Sequence, residues 1–125
     1  MSFVHLHLHT HYSFLQGLGN PEAFVVRAKE LGMTALAITD TNNLHGAFEF
    51  YLLCKKKGIK PIIGIELFIC EQGQKYDARD AKVYSIILLA KNFNGYKNLI
   101  QLTTKAYLEG NVGNKAQIDL SLIHI

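Results

Sequence analysis

Hydrophobic and polar positions divide the 125-residue chain into segments of two periods. Over residues 3–9 the order alternates strictly, with Phe3, His5, His7 and His9 on one side and Val4, Leu6 and Leu8 on the other, which is the period of a strand. Asn20, Pro21 and Glu22 then supply an N-cap, a first-position proline and a first-turn acid. Phe24, Ala28 and Leu31 recur at helical spacing until Gly32, so a helix is expected there. Residues 34–39 (TALAIT) form a continuous apolar strand ending at Asp40, as expected where both faces of a parallel sheet are covered. A second helix follows, with Leu44, Ala47, Phe48, Tyr51 and Leu52 as its apolar stripe, Lys55, Lys56 and Lys57 in its last turn, and Gly58 as its stop. Residues 59–65 give another buried strand that closes at Glu66. The polar stretch 71–82 reads as a loop, residues 83–90 as a fourth strand and residues 94–108 as a last helix.

Strand, helix, strand, helix, strand is a βαβαβ series. With right-handed crossovers it predicts either an open doubly wound sheet or the start of a β/α barrel. The closing residues 111–125 are too short to complete another βα unit, so the chain is expected to stop mid-fold. Its length permits one domain at most.

Composition narrows the class without naming a function. At 49% hydrophobic and 18% charged residues, the chain is globular in type, which excludes disorder and disulfide-rich scaffolds. A net charge of +3 is far from the loading of a dedicated nucleic-acid arm, and the lysines at 55–57 are expected to be a solvated helix end rather than a DNA contact. Cys54 and Cys70 lack the close pairing of a zinc or redox motif and are expected to be buried, reduced thiols. The N-terminus has neither a basic n-region nor an apolar h-region, and no apolar run reaches the roughly 20 residues of a membrane helix, so a cytoplasmic chain with no membrane partner is expected.

Candidate chemistry gathers at the strand ends, where reactive groups of α/β folds converge. His7 and His9 end the first strand, Asp40 the second and Glu66 the third. The i, i+2 histidines project from one strand face about 7 Å apart, a span that one or two metal ions can bridge. A mixed histidine and carboxylate set suits zinc, manganese or iron better than magnesium or calcium, and such sites activate water and stabilise phosphoryl oxygens. Plainer roles stand beside these: Asp40 as a helix cap for the segment near Asn43, Glu66 as a solvated strand end, His45 as a solvent-facing residue, Tyr12 and Ser13 as shapers of the loop. Asp40 is the sole candidate for a catalytic group.

Four blocks carry a family resemblance: HLHLHTHYS at 5–13, AITDTNNLHGAFEFY at 37–51, GIKPIIGIEL at 58–67 and LLAKNFNGYKNLIQL at 88–102. Together they resemble the N-terminal PHP (polymerase and histidinol phosphatase) domain of the bacterial DNA polymerase III alpha-subunit family, over residues 2–110. KAQID at 115–119 looks like a loose version of the family's next segment, and residues 111–125 are otherwise a tail. The resemblance implies the first half of a distorted (β/α)7 barrel, with a multinuclear metal cleft associated with phosphoester hydrolysis, including 3′-to-5′ exonuclease trimming. Carried over by position, His7, His9 and Glu66 match metal ligands, with His5 and Asp40 as further candidates and zinc or manganese as the implied ion.

Three positions depart from that pattern. Gln16 stands where a ligand Asp is usual, and Thr41 and Ser85 stand where histidines are usual. Neutral amides and hydroxyls are poor ligands for a transition metal, so the resemblance implies a metal shell partly dismantled. Three functions follow as expectations. The first is a piece of a replicative polymerase, whose parent synthesises DNA with residues lying beyond this segment. The second is a non-catalytic scaffold that docks a proofreading exonuclease, and the third a stand-alone phosphoesterase of the histidinol-phosphatase type.

Overall fold

The computed structural model describes residues 3–70, 83–112 and 115–124. In chain order the elements are α1 (Pro21–Glu30), β1 (Ala35–Ile38), α2 (Ala47–Lys57), β2 (Lys60–Cys70), β3 (Tyr84–Leu89), α3 (Phe93–Glu109), β4 (Asn111–Val112), β5 (Lys115–Asp119) and a closing 3-10 turn (Leu120–His124). The loop expected over residues 71–82 lies outside the described residues. No helix among the described residues is long and apolar enough to cross a membrane.

Local chemistry sets the helix ends. The Asn20 side chain accepts from the Ala23 amide at 2.8 Å to start α1, and Asn92 does the same for Gly95 at 3.0 Å to start α3. Gly58 ends α2 at φ +71, a left-handed conformation that glycine adopts without steric cost.

Which faces the helices bury differs from the expected stripes. In α1 the buried residues are Pro21, Val25 and Ala28, while Leu31 is exposed. In α2 they are Ala47, Phe50 and Cys54, whereas Phe48 is 71% exposed and Tyr51 and Leu52 are also exposed. The reason is that α2 carries more apolar side chains than one face can hold. The face that Phe50 and Cys54 share meets Leu36 and Ile38 of β1 together with Val25 and Ala28 of α1, and it completes one core. A second core joins Ile65 and Leu67 of β2 to Leu99, Leu102 and Ala106 of α3 and to Ala116 and Ile118 of β5. Cys54 and Cys70 are both buried free thiols, and burial pushes the Cys54 thiol up to about 11.

β2 is the central strand. β1 pairs with it in parallel, from Ala35 opposite Lys60 to Ile38 opposite Ile63, and β5 joins in parallel further along, from Phe68 opposite Gln117 to Cys70 opposite Asp119. β3 runs antiparallel to β2, from Gly64 opposite Leu89 to Ile69 opposite Tyr84, and β4 pairs antiparallel with β5. The sheet is therefore mixed, and the expectation of parallel strands alternating with helices is corrected at β3. A parallel neighbour needs a crossover connection, usually a helix, whereas an antiparallel one does not.

The first expected strand is also modified. Residues 3–9 lie along β1 without forming a regular ladder: the Ala37 amide donates to His5 O at 3.0 Å and the Thr39 amide to Leu8 O at 2.9 Å. Two residues on β1 thus span three on the first segment, a one-residue bulge. The Thr39 hydroxyl fills the gap, accepting from the Leu8 amide at 2.7 Å.

Asn42 splices the end of the β1 segment to β5. It sits at φ +56, its amide donates to Glu66 O at 2.7 Å, and its side chain donates to Ala116 O at 2.9 Å while accepting from the Phe68 amide at 3.3 Å. The carboxamide stands in for a peptide unit between two strands that share one edge of β2.

Candidate functional site

The bulge between His5 and Leu8 decides which histidines meet. His5 packs edge-on against Phe3 at 4.6 Å between ring centres, away from the others. His7 and His9 converge on Glu66, their Nε2 atoms 2.9 Å and 2.5 Å from Oε2 and 3.3 Å from each other. Glu66 reaches them because β2 continues past Ile65, and an isolated parallel bridge sets Thr41 directly beside it.

The three donors lie within 4.8 Å of one another and form the one group of this kind among the described residues. Exposure grades across the group, from 52% for the His7 side chain to 21% for His9 and 12% for Glu66, so the cluster opens to solvent on the His7 side. Burial would raise the Glu66 carboxyl. Hydrogen bonds from Ser85, His7 and His9, with the charge of His9, outweigh that effect and hold it below the ordinary carboxylate range. Two imidazole nitrogens and an ionised carboxylate oxygen aimed at one point are a donor set that suits zinc or manganese, so the residues present fit a divalent ion.

The three neutral positions surround this trio. The Thr41 hydroxyl donates to Gln16 Oε1 at 2.7 Å and lies 3.5 Å from His9 Nε2, and Ser85 bonds Glu66 from β3. Gln16, Thr41 and Ser85 are thus brought to the same place as the histidines, where each satisfies a neighbour instead of offering an anionic or imidazole ligand.

Asp40 is set apart. It is 2% exposed, and it accepts from the Thr10 amide at 2.6 Å, the Thr10 hydroxyl at 2.8 Å and the Ser13 hydroxyl at 2.6 Å. It does not cap α2, which begins after Gly46. Its work is to tie residues 10–13 to the end of β1, and the Thr41 amide adds a further bond to Ser13 Oγ at 3.0 Å. That ties His9, which precedes Thr10, to the same anchor. Thr10 is the residue that the sequence pattern missed; its signal is a hydroxyl directly after the histidine strand and three residues before Ser13.

Tyr12 leans on Gly46, where a side chain would strike its ring, and its hydroxyl donates to Glu49 at 3.0 Å. That hydrogen bond, then the Glu49 charge, raises the Tyr12 phenol above its usual value. His45 faces the Tyr12 ring at 6.4 Å and lies outside the trio.

The family profile of the PHP domain matches residues 5–124. The DNA polymerase III alpha subunit of Treponema pallidum is 46% identical over 114 residues, and that of Borreliella burgdorferi 47% identical over 111. These alignments cover 88% and 86% of this chain but 10% of each relative, so the chain spans about a tenth of their length. Among solved structures, an amidohydrolase from Chromobacterium violaceum with sulfate bound superposes with a TM-score of 0.55 at 20% identity, covering 82% of this chain and 34% of that one. A protein assigned as a metal-dependent phosphoesterase from Bifidobacterium adolescentis gives 0.51 at 19% identity, covering 86% and 35%. At such identities the structural likeness speaks for the fold: α/β, with a mixed sheet. Sequence and profile go further, and the chain belongs to the PHP domain family, homologous to the N-terminal region of the DNA polymerase III alpha subunit.

Proposed function

We propose that this chain is the N-terminal PHP portion of a cytoplasmic replicative polymerase, with its metal position retained and its hydrolytic capacity much reduced. The observation that carries this reading is the meeting of His7, His9 and Glu66 inside a ring of Gln16, Thr41 and Ser85. In the parent protein, DNA-directed DNA synthesis belongs to residues outside these 125, and the rest of that chain and DNA are the partners. The fold is the first half of a distorted (β/α)7 barrel, to which β5 belongs along with the segment up to residue 110, and the trio lies on its rim.

His7 and His9 would hold the ion through Nε2 and Glu66 through Oε2. A bound zinc or manganese ion supplies Lewis acidity toward a phosphoryl oxygen. Ser85 keeps the Glu66 carboxylate ionised and oriented, and Asp40 fixes the segment that carries His9. Gln16 offers a neutral amide, already engaged by the Thr41 hydroxyl, where a ligand Asp is usual, so the added negative charge that would help assemble a multinuclear cluster is missing. The same observation favours a scaffold role, with a proofreading exonuclease as the docked partner, over a stand-alone phosphoesterase.

Elemental analysis and a 3′-trimming assay on the full-length protein test this. The expected result is metal below stoichiometry and no metal-dependent trimming. Stoichiometric zinc or manganese together with trimming would overturn the weakened-site reading while leaving family membership untouched. Restoring Gln16→Asp, Thr41→His and Ser85→His together should raise metal affinity at least about tenfold. An unchanged affinity would count against the ligand assignment.

A further inference from the structure

Of the apolar stripe expected to bury α2, Ala47 is buried but Phe48, Tyr51 and Leu52 are left open. Phe48 and Tyr51 face Phe93 and Tyr96 of α3 across a groove of about 490 Å³, floored by Pro61 and Ile63 of β2. That volume lies within the range of roughly 300–1,000 Å³ typical of ligand sites. Phe48 and Phe93 are 71% and 66% exposed, and Phe93 and Tyr96 lie 6.3 Å apart at 33°. Pro61 and Ile63 point to the opposite face of β2 from Glu66, so the groove and the histidine trio occupy different faces of the sheet.

Charge chooses the occupant. Lys91 lines the groove, Lys97 stands 4.8 Å over the Phe93 ring and Lys55 stands 5.6 Å over the Tyr51 ring. Among the described residues no acidic side chain lines it, and Glu49, the carboxylate of α2, is engaged by Tyr12. Four aromatic rings give flat faces for bases, and Lys91 in the lining, with Lys55 and Lys97 over one face of Tyr51 and of Phe93, gives charge for phosphates. That is the composition of a stacking platform for single strands. An uncharged peptide would use the apolar floor but would offer the lysines no anion.

We propose that the groove between α2 and α3 binds single-stranded nucleic acid, stacking bases on Phe48, Tyr51, Phe93 and Tyr96, with Lys55, Lys91 and Lys97 along the phosphates. This does not rest on the metal reading, and the two can fail separately.

The test is photo-crosslinking of a 5-iododeoxyuridine oligonucleotide to the full-length protein, with mapping of the crosslinked peptides. Crosslinks are expected in peptides carrying Phe48 and Tyr51 or Phe93 and Tyr96. Phe93→Ala and Tyr51→Ala should each weaken binding at this site about tenfold, as loss of one stacked base predicts. Phe93 is exposed at the start of α3, so its truncation leaves both cores intact. Lys97→Gln should lower the slope of log affinity against log salt by about 0.7. Crosslinks confined to other segments, or yields unchanged in the alanine variants, would overturn the proposal. So would a benzophenone placed at position 48 that captures polypeptide and no oligonucleotide.

Discussion

Asp40 follows β1 and Glu66 lies beside it within β2, the Glu66 amide even donating to the Asp40 carbonyl, yet their carboxylates have opposite occupations. Asp40 is sealed, with both oxygens taken by Thr10 and Ser13. Glu66 is open on one side, shared between two imidazoles and a serine. A carboxylate whose acceptor sites are filled by its own loop is a structural pin, because any further ligand would have to displace bonds that hold the fold. One that faces movable imidazoles at a solvent-reaching rim can exchange them for an ion. Two acids at equivalent places in the strand pattern therefore separate into an anchor and a ligand candidate.

The largest test of that division is Asp40→Ala, which strands a buried amide and two hydroxyls and should cost about 3 kcal/mol or more in urea unfolding. A loss below about 1 kcal/mol would end the anchor role. Glu66→Gln should do the reverse: stability within about 1 kcal/mol of the parent, and zinc affinity lower by about 100-fold in a competition titration. Equal effects of both substitutions on folding would erase the distinction. Gly17→Ala should cost about 2 kcal/mol, because a side chain there collides with the Thr10 carbonyl and pushes against the loop that Asp40 holds. The smallest effect concerns Tyr12. Its phenol is held up by Glu49, so the bond's stabilisation is full below the ordinary phenol range and is lost as pH rises through the folded value. Glu49→Gln should bring the Tyr12 titration, followed by NMR, back toward that ordinary range.

Much of this was legible in the chain's periodicity. Caps at Asn20 and Gly58, the apolar strand before Asp40 and the meeting of His7 with His9 all follow from local rules, whereas β2, expected to close at Glu66, runs on to Cys70. The rest depended on partners distant in sequence. Strict alternation placed His5 with His7 and His9, but a bulge against β1 parted them, and alternation cannot reveal where a neighbour will insert Thr39. Periodicity likewise showed that α2 has many apolar positions without choosing a face; β1 and α1 made that choice, in favour of Phe50 and Cys54. Whether Asp40 capped a helix, ligated a metal or anchored a loop turned on Thr10 and Ser13, some 30 residues away.

Asn42 couples the site to time. Its partner Ala116 lies 74 residues on, so the contact can form only after nearly the whole segment has left the ribosome. β1 and β2 can pair early across a short connection, but closing the larger loop carries a greater entropic cost and comes later. Until β5 arrives, the Asn42 side chain has one of its two strand partners missing, and the neighbouring Thr41 rests on an unfinished edge. The Asn42 side of the rim is therefore among the last parts of this chain to set, while the histidine segment, tied to β1 and to Asp40, can be in place before β5 arrives.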